Sequence, residues 1–170
     1  MRRGLALATA AVAALLLATT ASATGGFDFA AGFGTRADEW YAAGAVSGPQ
    51  GQNEQGFAFV HKTAISDNGP VTRTFHGDVS RGCLIVTGNR AIVLGRIPES
   101  EQITFAPIGT VVYAGLFIVD NGRTQAGHPV DLVFADLLNE SFGALACSGV
   151  FAPPPFLLPL DHGDFVVHDG

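Results

Sequence analysis

The chain has 170 residues, 9 Lys+Arg against 15 Asp+Glu, a formal charge of −6 and a pI near 5.1. That balance excludes a nucleic-acid binder of the phosphate-tracking kind, which needs a concentrated basic surface. Apolar content of 48% with only 14% charged residues excludes a disordered chain, and the length allows one domain with a buried core.

The first 23 residues read as a leader. Arg2 and Arg3 form a positive start, Leu5 to Leu17 is an apolar run, and Ala21-Ser22-Ala23 is a small-residue cleavage pattern. That order predicts a secretory signal peptide over 1–23 and a single all-β domain over 24–170. The apolar run is rich in Ala and Thr, and no basic stop-transfer residue follows it. A membrane anchor is therefore not expected, and the product should be extracytoplasmic with no membrane attachment after cleavage. In such an oxidising compartment the two cysteines, Cys83 and Cys147, predict a disulfide. A reactive thiolate fits poorly, because Cys83 lies in the apolar run Gly82-Cys83-Leu84-Ile85-Val86.

The body of the chain reads as short strands separated by Gly, Asn and Pro. Phe27 to Phe33 alternates and opens the fold as a strand. Residues 38–46 fit a helical turn or an extended element, and the aromatic pair Trp40-Tyr41 with the following Ser47-Gly48-Pro49 favours the latter. Ser47 to Gly56 is a polar loop with no phosphate-cradle pattern. Phe57 to Ile65 is a strand, Asp67-Asn68-Gly69-Pro70 a turn, and Val71 to Ser80 the returning strand.

Cys83 to Thr87, Gly88-Asn89 and Arg90 to Leu94 form a hairpin with a primed two-residue turn, Val86 facing Ala91, Ile85 facing Ile92 and Leu84 facing Val93. Both faces of that ribbon are apolar, so both must be covered, either inside a sandwich or in a barrel with a segment packed outside it. Val111 to Val119 is a second strand of this kind and ends in Asp120-Asn121-Gly122. Residues 130–138 fit either period and read as strand in this β context; Phe142 to Val150 is an apolar stretch carrying Cys147. Pro153-Pro154-Pro155 predicts an extended segment, and Gly163 to His168 a last strand with Phe165 and Val167 on one side. The sum is an antiparallel β-barrel or β-sandwich of about eight to ten short strands.

Four segments carry a likeness: the Phe27-Asp28-Phe29 opening, Ser47-Gly48-Pro49-Gln50-Gly51, His76-Gly77-Asp78-Val79 through Cys83-Leu84 to Gly88-Asn89-Arg90-Ala91, and Val119-Asp120-Asn121-Gly122. In these the chain resembles an uncharacterised family of exported bacterial β-domain proteins. The resemblance implies secretion and a small β domain and brings no catalytic residues. Against the family's pattern, Arg81-Gly82 looks inserted ahead of Cys83.

Few residues are candidates for chemistry. If the Asp67–Pro70 turn closes with Ser66 opposite Val71, His61 faces His76, Thr63 faces Thr74 and Phe59 faces Asp78. The two imidazoles would then sit ~5 Å apart at Cβ, and with Asp78 they form a candidate metal site. The bland alternative is a pair of half-exposed strand histidines. Asp161-His162-Gly163-Asp164 and His168-Asp169 read as the charged guard of an edge strand. No Gly-x-Ser-x-Gly elbow is present, and the 13 Phe read mainly as core. The expected function is that of a secreted, non-catalytic binding or structural β module without a cofactor, whose partner is a small apolar ligand or a cell-exterior protein. The alternative is a small enzyme of isomerase, cyclase or hydrolase type, or a metal-binding protein, using His61, His76 and Asp78.

Overall fold

The computed structural model describes residues 26–48, 52–66, 69–105, 109–122, 130–149 and 157–170. The expected leader, the Pro153–Pro155 segment and the Asp67-Asn68 pair lie outside them. Among the described residues eleven strands run in chain order. They are β1 (Asp28–Arg36), β2 (Glu39–Ser47), β3 (Gln55–Ser66), β4 (Gly69–Thr87), β5 (Arg90–Arg96), β6 (Ile103–Phe105), β7 (Gly109–Val111), β8 (Tyr113–Val119), β9 (Leu132–Leu138), β10 (Leu158–Pro159) and β11 (His162–His168). A 3-10 turn, Glu99–Glu101, precedes β6, and one helix, α1 (Glu140–Cys147), follows β9. Nine strands form one antiparallel sheet in the order β10-β9-β8-β5-β4-β3-β2-β1-β11, while β6 and β7 make a separate hairpin. The all-β expectation holds, and both ambiguous segments, 38–46 and 130–138, are strands.

The sheet folds back on itself at two corners. At the first, β4 changes partner: Gly69 to Asp78 pair with β3, and Cys83 to Thr87 pair with β5. Between them the register shifts, so that residues 79–82 oppose Gly95 alone. Such a bulge bends the strand that carries it, and the apparently inserted Arg81-Gly82 sits in it. The two strands meet there backbone to backbone: a Cβ on Gly77 would lie 2.6 Å from the Gly95 carbonyl oxygen. Glycine within a strand marks this kind of close approach. At the second corner, β10 on one edge and β11 on the other are separated by only Leu160 and Asp161. The sheet's two edges are therefore neighbours in the chain.

The layer so enclosed is filled by side chains. Phe75, Phe165, Leu116, Ile118, Val60 and Val93 are fully buried there. Ala30, Ala43, Ala45, Ala58 and Ala114 join them and keep the halves close, so that β3 lies against β8 across the interior. The predicted hairpin register is the observed one, Val86 with Ala91, Ile85 with Ile92 and Leu84 with Val93. Its second apolar face is covered as well. Leu94, Phe117, Val112 and Leu138 point outward and are buried with Ala146 of α1. The helix is short, and in the sequence it is only an apolar stretch with no clear period. Its start is nonetheless written in Asn139, whose side chain accepts the Phe142 N–H at 3.0 Å and caps the first turn.

Two links hold α1 in place. Cys147 is joined to Cys83 on β4, with Cα atoms 5.7 Å apart. At the other end of the helix the Tyr113 hydroxyl donates to Glu140 Oε1 at 3.0 Å, and Arg96 Nη1 donates to Glu140 Oε2 at 3.0 Å. Gly143 rests on the Tyr113 ring, with no room for a Cβ. Hydrogen bonding from Arg96, then from Tyr113, holds the Glu140 carboxyl below its ordinary range. A depressed carboxyl stabilises the fold above its unfolded pKa and loses that contribution as pH falls through the lower, folded one. Both tyrosines move the other way. Burial, then Glu140, raises Tyr113, and burial, then Glu39, raises Tyr41. The chain has just these two. Ultraviolet titration of the folded protein should therefore show no tyrosine ionising at the ordinary value near pH 10. A full-amplitude step there would contradict the burial of both phenols.

The seam between the edges is made by aspartates rather than by a continuous ladder. Asp131, 1% exposed, accepts the Phe165 N–H at 2.6 Å through Oδ2 and the Asn121 N–H at 2.9 Å through Oδ1. Asp120 Oδ2 accepts the Val167 N–H at 2.9 Å. Phe165 and Val167 are two apart, as donors on one edge of a strand must be. Asp161 and Asp169 likewise accept the N–H groups of Ala37 and Gly88. β11 is an edge strand as expected, and two of its flanking acidic residues, Asp161 and Asp169, remain exposed while also accepting backbone donors.

Candidate functional site

The half built from β11, β1, β2, β3 and the first part of β4 has an outer face on the side away from the core. Alternation puts every second residue there, and the register sets them in rows. Phe33 on β1 lies beside Ala42 on β2, which lies beside Phe59 and then His76. The neighbouring rows are Ala31, Gly44, Phe57 and Asp78 on one side, and Thr35, Trp40, His61 and Thr74 on the other. The centre is thus floored by Ala31, Ala42 and Gly44 and walled by Phe29, Phe33, Trp40, Phe57 and Phe59. Phe33 is 38% exposed, and α1 packs on the opposite half, against β4, β5 and β9.

The rings are organised among themselves. Phe57 and Phe59 tilt together with centroids 4.7 Å apart, Trp40 stacks on His61 at 5.4 Å, and Phe29 stacks on His168 at 5.2 Å. His76 stands edge-on to Phe59 at 5.0 Å. One nitrogen of each histidine and one oxygen of Asp78 are engaged at the rim of the apolar centre. His61 Nδ1 lies 3.0 Å from Thr74 Oγ1, and His76 Nδ1 lies 2.9 Å from Glu101 Oε2. Asp78 Oδ1 accepts both the Ser80 N–H and its hydroxyl.

The expected cross-strand pairing of His61 with His76 is corrected here. The hairpin closes with Ser66 opposite Gly69, so His61 faces Thr74, His76 faces Phe59 and Asp78 faces Phe57. The physical reason is the turn: Gly69, with φ of +106°, belongs to β4 and leaves two residues to the loop, whereas the expected closure assigned four. Pro70 is tolerated because β5 begins to pair with β4 only at Asp78, so its missing N–H leaves no ladder bond unmade on that side. All three candidate ligands do share the outer face, but each is engaged with a different partner. Among the described residues no group of three His, Cys, Asp or Glu side chains is placed to hold a metal ion.

Sequence reasoning misses the face itself, since aromatic residues on strands read as core. The available signal is the run of small residues Ala42-Ala43-Gly44-Ala45 on β2 beside Phe57-Ala58-Phe59 on β3, which no one-sided core accounts for. Comparison of the chain with family models, with curated proteins and with solved structures found no match.

Proposed function

We propose that the protein is an exported binding module whose recognition surface is the aromatic face of β1 to β4, and that its partner is an apolar protein surface. The observation that carries this reading is the aromatic wall around the Ala31–Ala42–Gly44 floor, half-buried except for the exposed Phe33, on a side of this half that, among the described residues, neither the core nor α1 covers. Contiguous apolar surface of this kind, rimmed by polar residues, marks interaction sites. The face is lined mainly by rings and small residues, and one nitrogen of each of His61 and His76 and one oxygen of Asp78 are already engaged, which favours an apolar protein surface over a glycan. The filled interior speaks against a ligand inside the fold. Export is supported by the Cys83–Cys147 disulfide and by the leader-like first 23 residues, and no described helix is long and apolar enough to cross a membrane.

A photo-crosslinking amino acid at Phe33 or Phe59, introduced in the cells that make the protein, should yield a discrete protein adduct. The same probe at Phe142, exposed on α1, should not. Phe59→Asp should keep the circular-dichroism spectrum and weaken the adduct-forming interaction by about 2 kcal/mol, the scale of an aromatic hot spot. Adducts of equal yield from Phe142, or none from the face, would refute the reading.

A further inference from the structure

Four of the chain's five histidines lie on the outer face of this half, and all four lie at its rim. His61 and His76 stand on the β3 and β4 side. Across the sheet β11 contributes the other two, with His162 opposite Thr35 and His168 opposite Phe29. The fifth, His128, lies outside the described residues. His76, His162 and His168 are exposed, and His61 is half-buried. Three of the four touch the aromatic wall. His61 lies nearly parallel to Trp40, with 6° between the planes, His168 stacks on Phe29, and His76 meets Phe59 edge-on. A charge gained on these rings therefore arises at the edge of the apolar centre.

The charged groups around the four rings are few. His61 meets Trp40 and Thr74, which carry no charge. His76 has Glu101 of the 3-10 turn at 2.9 Å and Asp78 two residues on along β4. His162 faces Thr35 and is flanked by Asp161 and Asp164, while His168 faces Phe29 and precedes Asp169. Behind β11 the Asp120 and Asp131 carboxylates accept the Val167 and Phe165 N–H groups. Arg36, Lys62 and Arg73 alternate to the inner face, so among the described residues no lysine or arginine stands in these rows. With neutral imidazoles the face carries only the negative charge of Asp78, Asp164 and the neighbouring Glu101. Four protonated imidazoles outweigh those three carboxylates and reverse its sign.

We infer that the face docks its apolar partner while these four imidazoles are neutral and releases it in mild acid. Histidine is the side chain that ordinarily changes charge between pH 5 and 8. An apolar partner seated on the wall takes water from the rim, and a charged ring gives up that water at far greater cost than a neutral one. Covering the rim thus favours the neutral ring, so affinity is full above the histidine range and falls as pH drops through it. The inference rests on the docking reading above and adds the condition under which the surface lets go.

Phenyl-agarose serves as the apolar surface in the test. The purified protein's affinity for the resin should fall about tenfold between about pH 7.5 and about pH 5.5 at constant salt, as expected when covering the rim makes its imidazoles harder to protonate by about one pH unit in all. Net charge alone predicts the opposite trend, because it shrinks towards the pI near 5.1 and a protein of low net charge adsorbs more readily. Replacing His61, His76, His162 and His168 together by Gln should abolish the fall. Trp40 is the chain's one tryptophan, and an imidazolium stacked on an indole quenches it. Its emission should therefore drop over the same range in the parent protein and stay level in His61→Gln, a readout that survives if the fourfold variant fails to fold. Affinity that holds or rises in acid, a fourfold variant that keeps the fall, or level Trp40 emission in the parent would overturn the inference. None of these results touches the protein adducts expected at Phe33 and Phe59, on which the docking reading stands.

Discussion

Asp131→Ala should lower the unfolding free energy by about 4 kcal/mol, because it strands the Phe165 and Asn121 amides inside the protein at about 1–3 kcal/mol for each unsatisfied group. The carboxylate's own desolvation opposes this, but among the described residues neither amide has another acceptor. Asp131 also sits where its backbone carbonyl takes the Leu160 N–H at 3.1 Å, so one residue serves the donors of β11 and of the turn that precedes it. The Asp131→Asn variant keeps one acceptor oxygen and turns an N–H towards the other amide, so it should lose about half as much. Urea midpoints for the two variants check the ranking. Equal and small losses would mean that the seam is held by packing of Phe165 and Leu160 rather than by the buried carboxylate.

The Cys83–Cys147 pair carries the other large effect. It closes a loop with a sequence separation of 64, and on the chain-entropy account a cross-link of that span stabilises by roughly 4 kcal/mol. Cys147→Ser should therefore lower the unfolding free energy by a comparable amount, read from the denaturant midpoint and slope. The loss should not be confined to the unfolded chain's freedom. Gly143 and Ala146 give α1 little apolar area to bury, while Phe142 and Leu145, at 50% and 43% exposure, point outward. Without the bridge the helix depends on Glu140 and its contacts with Arg96 and Tyr113, so the reduced protein should expose Leu94, Phe117 and Leu138 and bind a hydrophobic dye in acid. A reduced protein whose midpoint equals that of the oxidised one, with no dye binding, would show that the helix docks unaided.

The legible parts of the fold are those where local chemistry decides. The Gly88-Asn89 turn sets the register of β4 against β5, because only one closure of a two-residue primed turn is possible. The apolar character of both faces of that ribbon already requires an outer cover, and α1 is that cover. The β3–β4 hairpin departs from its expected register by two positions because Gly69 and Pro70 look like loop residues, while the unpaired side of β4 lets proline stay within a strand. The seam is illegible for a different reason. Asp131 and Asp120 carry no local sign that they will accept amides from residues 165 and 167, since the partnership exists only once the sheet has curled. The aromatic face is hidden by composition: phenylalanine says that burial is wanted but not which side of a strand receives it, nor whether the cover comes from the same molecule.

The C-terminal corner has a consequence for the order of events in folding. β1 must wait for β11, whose contacts reach from Asp28 to Gly170 across a separation of 142. A polypeptide emerging amino end first, from a ribosome or through a translocation pore, can build hairpins early but cannot lock them until β11 is free. Long-range closure of this kind slows folding. A chain arranged in this way stays loose and threadable until β11 arrives, and a stalled or clipped product lacking that strand would present an unfinished sheet edge to quality-control proteases.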